Sequence, residues 1–489
     1  MTQKTKHLLL KTLLIGLLIQ TGFSSVSLGQ SKEEKIDQAV SLYADYGKFN
    51  GSILVSENGK VIYKKGFGKA NMEWNIPNQP NTKHRIGSIT KQFTAMLVLQ
   101  QVQQGNLSLD DVITDHLSNY PKATGDKITL HHLLTHTSGI PNYTSYADFF
   151  KNETRNPYQP EEFIKLFSDS ALHFTPGKKF EYSNSGYFLL GAILEKVTGK
   201  PYELVLQENI LTPLGMTNTG FDHYATILKN RAAGYEKEGS GYKNADYIDM
   251  SIPYAAGSMY STVEDLYLWD QALYTEQLLS SKYKELLFTP FIPAWSSSYG
   301  YGWFIMQLPI GGGNDPLLIH QHDGGVNGFH TVISRIPSEK HMIVMLNNTG
   351  HAALNDINLA INAILHDLPY QLPKRSFAKT LWEVVSTKGF EAGLQWFNEN
   401  RNATDYELNE YEINVMGYQL LNMQKTKEAI IVFQLNVDAF PESWNTYDSL
   451  AEAYIQDGNE EMAVLYYKKS LKLNSKNTNA KKYIKAHKS

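Results

Sequence analysis

The fold is decided by a nine-residue stretch, Arg85-Ile86-Gly87-Ser88-Ile89-Thr90-Lys91-Gln92-Phe93. Apolar residues recur at helical spacing through and beyond it, up to a stop at Gly105, which predicts a helix. Residues three apart lie on one face of a helix, so the amine of Lys91 can reach the hydroxyl of Ser88. A serine hydroxyl becomes a nucleophile when a base takes its proton, and an amine with a lowered pKa can be that base.

The same Ser-x-x-Lys spacing recurs three more times, at Ser240/Lys243, Ser281/Lys284 and Ser376/Lys379. For any single copy, the ordinary interpretation is a serine that caps a helix, followed by an exposed lysine one turn later. The choice among the four copies therefore depends on the rest of the chain.

The composition limits the class of protein. The chain has 489 residues, 42% of them hydrophobic, which suffices for two or three domains with large cores. Its 45 Lys and Arg residues against 49 Asp and Glu give a net charge of −4, which is not the signature of a nucleic-acid-binding protein. The chain has no cysteine, which excludes disulfides, thiol catalysis and Cys-based iron or zinc sites.

The N-terminus has the pattern of a targeting segment. Lysines at positions 4, 6 and 11 precede a short apolar run, and Ser27-Leu28-Gly29 offers small residues for a cleavage site. The run is shorter than the roughly 20 residues that span a bilayer, so we expect a signal peptide over residues 1–29 and not a membrane anchor. The mature protein is expected to be exported, to the periplasm or the medium, without a stable membrane span.

The coarse order of elements is strands, a helix-rich middle, and strands again. A helix is predicted over 31–48, and a hairpin follows with Asn58-Gly59 at its turn. Further strands are predicted at 299–305, 331–334 and 342–346. This order favours an antiparallel sheet built from both ends of the region, with a helical insertion between them.

Two later stretches carry polar groups suited to catalysis. Tyr182 and Asn184 lie two apart before an apolar helix; a tyrosine hydroxyl can relay a proton, and an asparagine amide can hold a substrate amide. His322 is followed by Asp323 and two glycines, and glycines beside a strand let a substrate approach the backbone closely. Taken singly, each stretch is more simply interpreted as packing or a tight turn.

Three histidines, His131, His132 and His136, invite a metal interpretation. No carboxylate or cysteine lies among them at ligand spacing, so polar packing is expected and no metal site is predicted.

The pattern changes after residue 366. Two prolines in the segment 367–376 predict a linker, and the pattern over 377–489 is helical. A period of 34 residues places Gly417, Leu420, Ala429, Phe433 and Pro441 opposite Ala451, Tyr454, Ala463, Tyr467 and Ser475. Small residues and aromatics at these spacings allow helix pairs to stack. The segment resembles tetratricopeptide repeats, an all-α domain that offers a surface for a protein partner.

Three motifs occur in a fixed order: Ser88-x-x-Lys91, Tyr182-x-Asn184 and His322-x-Gly324. With the segments between them, they resemble the serine β-lactamase and penicillin-binding superfamily over residues 35–365. Within it, they are similar to class C β-lactamases, D-Ala-D-Ala carboxypeptidases and their esterase and aminopeptidase relatives. The resemblance implies an α/β fold over residues 31–366, an antiparallel sheet flanked by helices plus an all-helical subdomain.

The resemblance also implies an acyl-enzyme mechanism that needs no cofactor or metal. Ser88 would attack a carbonyl of a small-molecule or peptide substrate. Either Lys91 or Tyr182 would be the base, and the two would titrate as a coupled pair. His322 stands where other branches of the superfamily have Lys.

The substrate is implied to lie between two of the motifs. Asn184 would hold its amide, and Gly324 would let it approach the strand. Backbone N–H groups of Ser88 and Gly325 would form the oxyanion hole.

Asp323 departs from the superfamily pattern. Carboxypeptidases and β-lactamases usually have Thr or Ser there, whose hydroxyl helps bind the substrate carboxylate. An aspartate that faces the site repels such a carboxylate. The expected function is therefore a serine hydrolase acting on an ester, or on an amide or peptide without that carboxylate. The alternatives are a D-Ala-D-Ala carboxypeptidase or class C-like β-lactamase, and a penicillin- or peptide-binding protein without turnover.

Overall fold

A computed structural model describes residues 29–238, 241–308, 316–350 and 352–487. The predicted signal peptide, residues 1–29, lies outside the described residues except for Gly29. Two compact units are distinguished, one over Lys32–Pro373 and one that begins at Lys374. Within the described ranges, no helix is long and apolar enough to cross a membrane.

The first unit is built around an eight-stranded antiparallel sheet. Its strands are β1 (Gly51–Glu57), β2 (Lys60–Phe67), β3 (Ile292–Ala294), β4 (Ser297–Tyr299), β5 (Phe304–Leu308), β6 (Leu317–Val326), β7 (Phe329–Ile336) and β8 (His341–Asn347). The order across the sheet is β3-β4-β5-β6-β7-β8-β1-β2, so the two ends of the unit meet where β1 pairs with β8. Asn58 and Gly59 both have positive φ in the β1–β2 turn, as the predicted hairpin requires.

Helices cover both faces of this sheet. The longer ones are α1 (Lys32–Asp45), α2 (Thr90–Gln103), α3 (Asn184–Thr198), α4 (Val263–Ala272) and α5 (Leu354–Leu365). On one face, α1 and α5 pack over Val332 and Ile343. On the other face, α2 and the helix-rich middle pack over Ile333 and Val344. The predicted order of strands, helices and strands is confirmed, and so is the α/β fold with an antiparallel sheet.

Short elements complete this unit. The short helical segments are Gly87–Ile89, Ile113–His116, Lys122–Gly125, Leu130–Leu134, Tyr143–Ser145, Phe149–Asn152, Pro160–Ile164, Tyr202–Leu206, Gln207–Leu211, Thr212–Leu214, Tyr254–Gly257, Ser281–Lys284 and Glu285–Phe288. The short strands are Lys69–Asn71 with Ile76–Pro77, His84–Arg85 with Met259–Ser261 and Gly220–Phe221, and Tyr235–Glu238 with Gly241–Asn244.

The strand predicted at 299–305 is wrong in its middle. β4 ends at Tyr299, β5 begins at Phe304, and a turn separates them. Gly302 in this turn has a φ of +78°, and a Cβ there would lie 2.9 Å from the carbonyl oxygen of Lys91. Gly302 therefore serves a close contact with α2, and Gly300 serves one with the carbonyl oxygen of Leu287. An alternation of glycine and aromatic residues does not reveal such contacts.

Residues 374–487 are helical apart from a two-residue ladder between Arg375–Ser376 and Tyr406–Glu407. The helices are α6 (Phe377–Lys388), α7 (Phe390–Asn400), α8 (Glu410–Asn422), α9 (Thr426–Ala439), α10 (Trp444–Gln456), α11 (Glu460–Leu473) and α12 (Thr478–Ala486). The α8–α9 pair starts at 410 and 426 and the α10–α11 pair at 444 and 460, which matches the 34-residue period. Gly417 lets α8 approach α9, since a Cβ there would lie 2.5 Å from the Phe433 ring. This architecture fits the predicted repeats.

Candidate active site

Ser88 lies in a single 3-10 turn, Gly87–Ile89, which leads directly into α2. The turn requires glycine at position 87, where φ is +52° and a Cβ would lie 2.7 Å from the backbone nitrogen of Gly325. Gly324 is equally constrained, because a Cβ there would lie 1.9 Å from the carbonyl oxygen that precedes the turn. The serine turn is thereby held directly against β6.

The amine of Lys91 is fully buried and has three oxygen neighbours. Nζ lies 2.9 Å from Ser88 Oγ, and 2.8 Å from both Asn184 Oδ1 and the carbonyl oxygen of Ala256. Burial lowers the pKa of Lys91 well below its ordinary value. A neutral amine has two N–H bonds and one lone pair. The two carbonyl oxygens accept the N–H bonds, which leaves the lone pair for the Ser88 hydroxyl.

Tyr182 lies beside the same amine. Its ring centroid is 4.9 Å from Lys91 Nζ, and burial raises the pKa of its phenol. A hydrogen bond with Ser88 lowers that pKa, but burial is the larger effect. Of the two candidate bases, the amine is therefore the group that favours its neutral, proton-accepting form, and the phenol is the group that keeps its proton.

His322 is buried and is linked to His136 through the hydroxyl of Tyr299. Tyr299 Oη lies 3.1 Å from His322 Nε2 and 3.2 Å from His136 Nε2. The other ring nitrogens fix the tautomers, because the Ser183 N–H donates to His136 Nδ1 and His322 Nδ1 donates to the carbonyl oxygen of Asp323. His136 Nε2–H therefore donates to Tyr299, whose hydroxyl donates to His322 Nε2.

Both imidazoles in this chain of hydrogen bonds, those of His136 and His322, are neutral. Burial, with the nearby Lys91 as the second cause, lowers the pKa of His322 to about 3. Burial likewise lowers the pKa of His136 well below its ordinary value. His322 thus brings no positive charge to the site.

His136 is a residue of the site that the sequence analysis assigned to polar packing. Its ring lies 4.2 Å from the Tyr182 ring, centroid to centroid, so it supports the phenol. No local signal marks this role, because Tyr182 and Tyr299 reach His136 only through the fold. The neighbouring histidines are packed as expected: His131 Nδ1 lies 2.7 Å from the Tyr301 hydroxyl, and His132 Nδ1 accepts a backbone N–H at 3.2 Å.

A pocket of about 330 Å³ opens beside Ser88. Asn184 and Gly325 line it together with the serine. Much of the remaining wall is apolar, formed by Tyr143, Phe149, Phe150, Ile248, Ile252, Val326 and Phe329. Glu236 also lines the pocket, and the described residues of the wall include no Lys or Arg. Glu236 Oε1 accepts the backbone N–H of Gly328 at 2.8 Å, which holds the carboxylate in place.

Asp323 does not line this pocket. It pairs with Val332, whose side chain belongs to the face covered by α1 and α5, whereas His322 pairs with Ile333 on the Ser88 face. Successive residues of a strand point to opposite faces, so His322 and Asp323 cannot share one. The Asp323 carboxylate accepts a hydrogen bond from the Gln321 amide at 3.1 Å. The acidic group at the pocket is therefore Glu236.

Two other Ser-x-x-Lys copies have structural roles. Ser376 caps α6, where its Oγ accepts the backbone N–H of Lys379 at 3.1 Å. Ser281 donates its hydroxyl to Glu276 at the start of a short helix. Ser240 lies outside the described residues. Of the copies that the structure describes, Ser88 is the one whose hydroxyl meets a buried lysine amine.

The fold and this arrangement of Ser88, Lys91 and Tyr182 define a class of protein, the serine hydrolases with a β-lactamase fold. A family model described as Beta-lactamase matches residues 36–366. The chain belongs to the beta-lactamase family of serine hydrolases.

Named relatives and solved structures agree with this assignment. The chain is 32% identical over 340 residues to PbpX of Bacillus subtilis (strain 168), which carries the name of a penicillin-binding protein, and the match covers 69% of this chain and 80% of that protein. The structure of an octameric penicillin-binding protein homologue from Pyrococcus abyssi has a TM-score of 0.60 at 30% identity, covering 72% of this chain and 81% of that one. A D-amino acid amidase from Ochrobactrum anthropi SV3 is alike in fold alone, with a TM-score of 0.62 at 23% identity and coverage of 69% and 99%.

Proposed function

We propose that the protein is an exported hydrolase that forms an acyl-enzyme at Ser88 with an ester, or with an amide or peptide that lacks a carboxylate near the scissile bond. The observation that carries this proposal is the buried amine of Lys91, whose two carbonyl neighbours leave its lone pair for Ser88. The pocket supports it, because an apolar wall with Glu236 favours an apolar acyl group and disfavours an anionic one.

Acylation follows from these positions. Ser88 Oγ attacks the substrate carbonyl carbon while Lys91 Nζ takes the hydroxyl proton. The backbone N–H groups of Ser88 and Gly325 stabilise the resulting oxyanion. The bond to the leaving group then breaks, the leaving group takes a proton from the Tyr182 phenol, and Lys91 returns a proton to the phenolate. Asn184 Oδ1 is held by Lys91, so its Nδ2 is the group that donates to a substrate carbonyl.

Deacylation uses the same groups. Water attacks the acyl carbonyl and gives a proton to Lys91. The ester bond to Ser88 breaks, and Ser88 Oγ regains a proton from the ammonium. The acid product leaves, and both the serine and the neutral amine are restored.

Two parts of the proposal lie outside this site. Export rests on the lysine-rich start and short apolar run of residues 1–29, and N-terminal sequencing of the mature protein tests it. The 34-residue period of α8–α11 supports tetratricopeptide-like repeats, whose stacked helices would give a protein partner a surface.

The catalytic proposal is tested by intact mass after exposure to a fluorophosphonate, a neutral nitrophenyl ester and a penicillin. We expect one fluorophosphonate adduct and turnover of the ester. Both should be lost in Ser88→Ala and kept in Ser281→Ala, the matched control at another Ser-x-x-Lys copy. Turnover of the penicillin in preference to the ester would favour the β-lactamase or carboxypeptidase alternative, and a stable penicillin adduct would favour a binding protein. No adduct in any arm would refute the proposal.

A further inference from the structure

A second group of histidines lies on the sheet face that α1 and α5 cover. Glu339 is in the turn between β7 and β8, His341 is the first residue of β8, and His366 directly follows α5. One ligand atom from each of the three side chains lies within 4.8 Å of the others. His341 Nδ1 is 3.0 Å from Glu339 Oε2, and His366 Nε2 is 2.8 Å from the same oxygen.

Two ring nitrogens of this group lack a complementary hydrogen-bond partner among the described residues. His366 Nδ1 lies 2.7 Å from the carbonyl oxygen of Asn362, so the proton of a neutral imidazole is on Nδ1. Its Nε2 then directs a lone pair at a carboxylate, which can only accept. His341 is 7% exposed, and its Nδ1 has no hydrogen-bond partner among the described residues, although it lies near the same carboxylate. Buried polar atoms of native proteins usually have partners.

We propose that Glu339, His341 and His366 bind a divalent transition-metal ion, for which Zn²⁺ is the best match. Two imidazole nitrogens and one carboxylate oxygen are ligands that zinc prefers, with water in the fourth position. The Glu339 side chain is 31% exposed, which leaves that position open to solvent. The Asn362 carbonyl fixes the ring of His366 through its other nitrogen, as carbonyl acceptors do for many metal-bound histidines.

The distances suit this ion. Ligand atoms of a tetrahedral zinc site with bonds of about 2.0–2.1 Å lie about 3.3 Å apart. The two contacts of 2.8 and 3.0 Å need to open by about 0.3–0.5 Å. The two imidazole nitrogens, which lie within 4.8 Å of each other, need to reach a similar separation. An imidazolium at His366 would satisfy its contact with Glu339, but it would leave His341 Nδ1 without a partner. A cation between the three atoms satisfies all of them.

The base near the group on α1 is paired with carboxylates, which offset its charge. Lys32, on α1, is the nearby base, and its Nζ lies 2.7 Å from Glu57 and 3.8 Å from Asp367. The site joins the β7–β8 turn to the end of α5, on the opposite sheet face from Ser88. A metal there would stabilise the fold and take no part in acyl transfer.

The test uses the untagged full-length protein after removal of metal with a chelator. Titration with ZnCl₂ should show one saturable site per chain and raise the melting temperature, and Co²⁺ should give the visible absorption of a four-coordinate ion. His366→Ala and Glu339→Gln should each weaken zinc binding by at least about 100-fold. His223→Ala, which removes an exposed histidine that pairs with Glu203, is the matched control and should bind zinc as the unaltered protein does.

The outcomes separate this proposal from its alternatives. If zinc produces no saturable binding and no change in melting temperature, the group is a proton-linked hydrogen-bond cluster and the proposal is overturned. Binding that survives His366→Ala places the metal elsewhere and also overturns it. Turnover of the nitrophenyl ester should be the same with and without zinc, so a failure of the catalytic proposal does not decide this one.

Discussion

Each face of the sheet carries two histidines joined by one bridging oxygen, and the two bridges differ in kind. On the Ser88 face, the Tyr299 hydroxyl accepts from His136 and donates to His322. On the other face, the bridge is the carboxylate of Glu339, which can only accept. In the first set, every donor faces an acceptor. In the second set, two nitrogens face a carboxylate that can only accept, so an added proton or a cation is needed to satisfy these contacts. The bridging group therefore distinguishes the two sets: a hydroxyl both accepts and donates between packed histidines, whereas a carboxylate only accepts between the proposed metal ligands.

The hydrogen-bonded histidines on the Ser88 face also determine which charges lie beside the catalytic amine. Because His322 stays neutral, it adds no positive charge beside the amine of Lys91. The amine remains a proton acceptor whose pKa burial sets.

The largest effect is expected at Lys91. Lys91→Ala removes the base and should lower kcat/KM for a neutral ester by about 10²–10⁴-fold. The lowered pKa makes the neutral amine the active form, so activity should be full above that pKa and fall as the pH drops through it and the amine gains its proton. A pH–rate profile of both proteins checks this. If the variant keeps the acidic limb of the unaltered protein, that limb belongs to another group.

A smaller effect is expected when the bridge on the Ser88 face is removed. Tyr299→Phe leaves the Nε2–H of His136 and the Nε2 of His322 without their partner, which should cost about 1–3 kcal/mol in the free energy of unfolding. It should also lower kcat more than it changes KM, because His136 supports the Tyr182 ring.

Tyr301→Phe is the control for that variant. Its hydroxyl lies 2.7 Å from His131 Nδ1, a partly buried Tyr–His contact without a link to Tyr182. Denaturant unfolding should show comparable losses in both variants, and steady-state kinetics should show a lower kcat in Tyr299→Phe alone. Equal kcat values in the two variants would mean that the hydrogen bonds of His136 through Tyr299 serve packing only and do not support catalysis.

The parts of the site that follow from local geometry were predictable. Ser88 and Lys91 meet because three residues of helix bring them together, and the Asn58-Gly59 pair identifies its hairpin. The Ala256 carbonyl completes the surroundings of the amine, but it belongs to a segment 165 residues away from Lys91 and carries no side-chain signal. Backbone groups brought in by tertiary folding have no pattern in the sequence.

Three other features depended on orientation or on long-range contacts. Asp323 was expected to act on the substrate if it faced the site, and the alternation of β6 turns it to the other face. Glu236 lies in a short strand with no motif around it, and only the fold brings it to the pocket. Likewise, His366 reaches Glu339 and His341 only because α5 folds back along the sheet. No local pattern in the sequence marks these groups, because tertiary folding alone sets their positions.

The smallest effects should separate Glu236 from Asp323. Glu236→Gln keeps an oxygen that can accept the Gly328 N–H but removes the charge from the pocket. It should raise kcat/KM for an acyl-D-Ala substrate, relative to a neutral ester, by about fivefold, which corresponds to about 1 kcal/mol of repulsion between partly solvated charges. Asp323→Thr should change the same ratio by less than about twofold, because its side chain lies on the other face of β6 and does not line the pocket. The ratio of the two kcat/KM values is the measurement. If Asp323→Thr shifts it more than Glu236→Gln does, the charge that selects against a substrate carboxylate acts from the edge of β6, and the pocket wall is not its source.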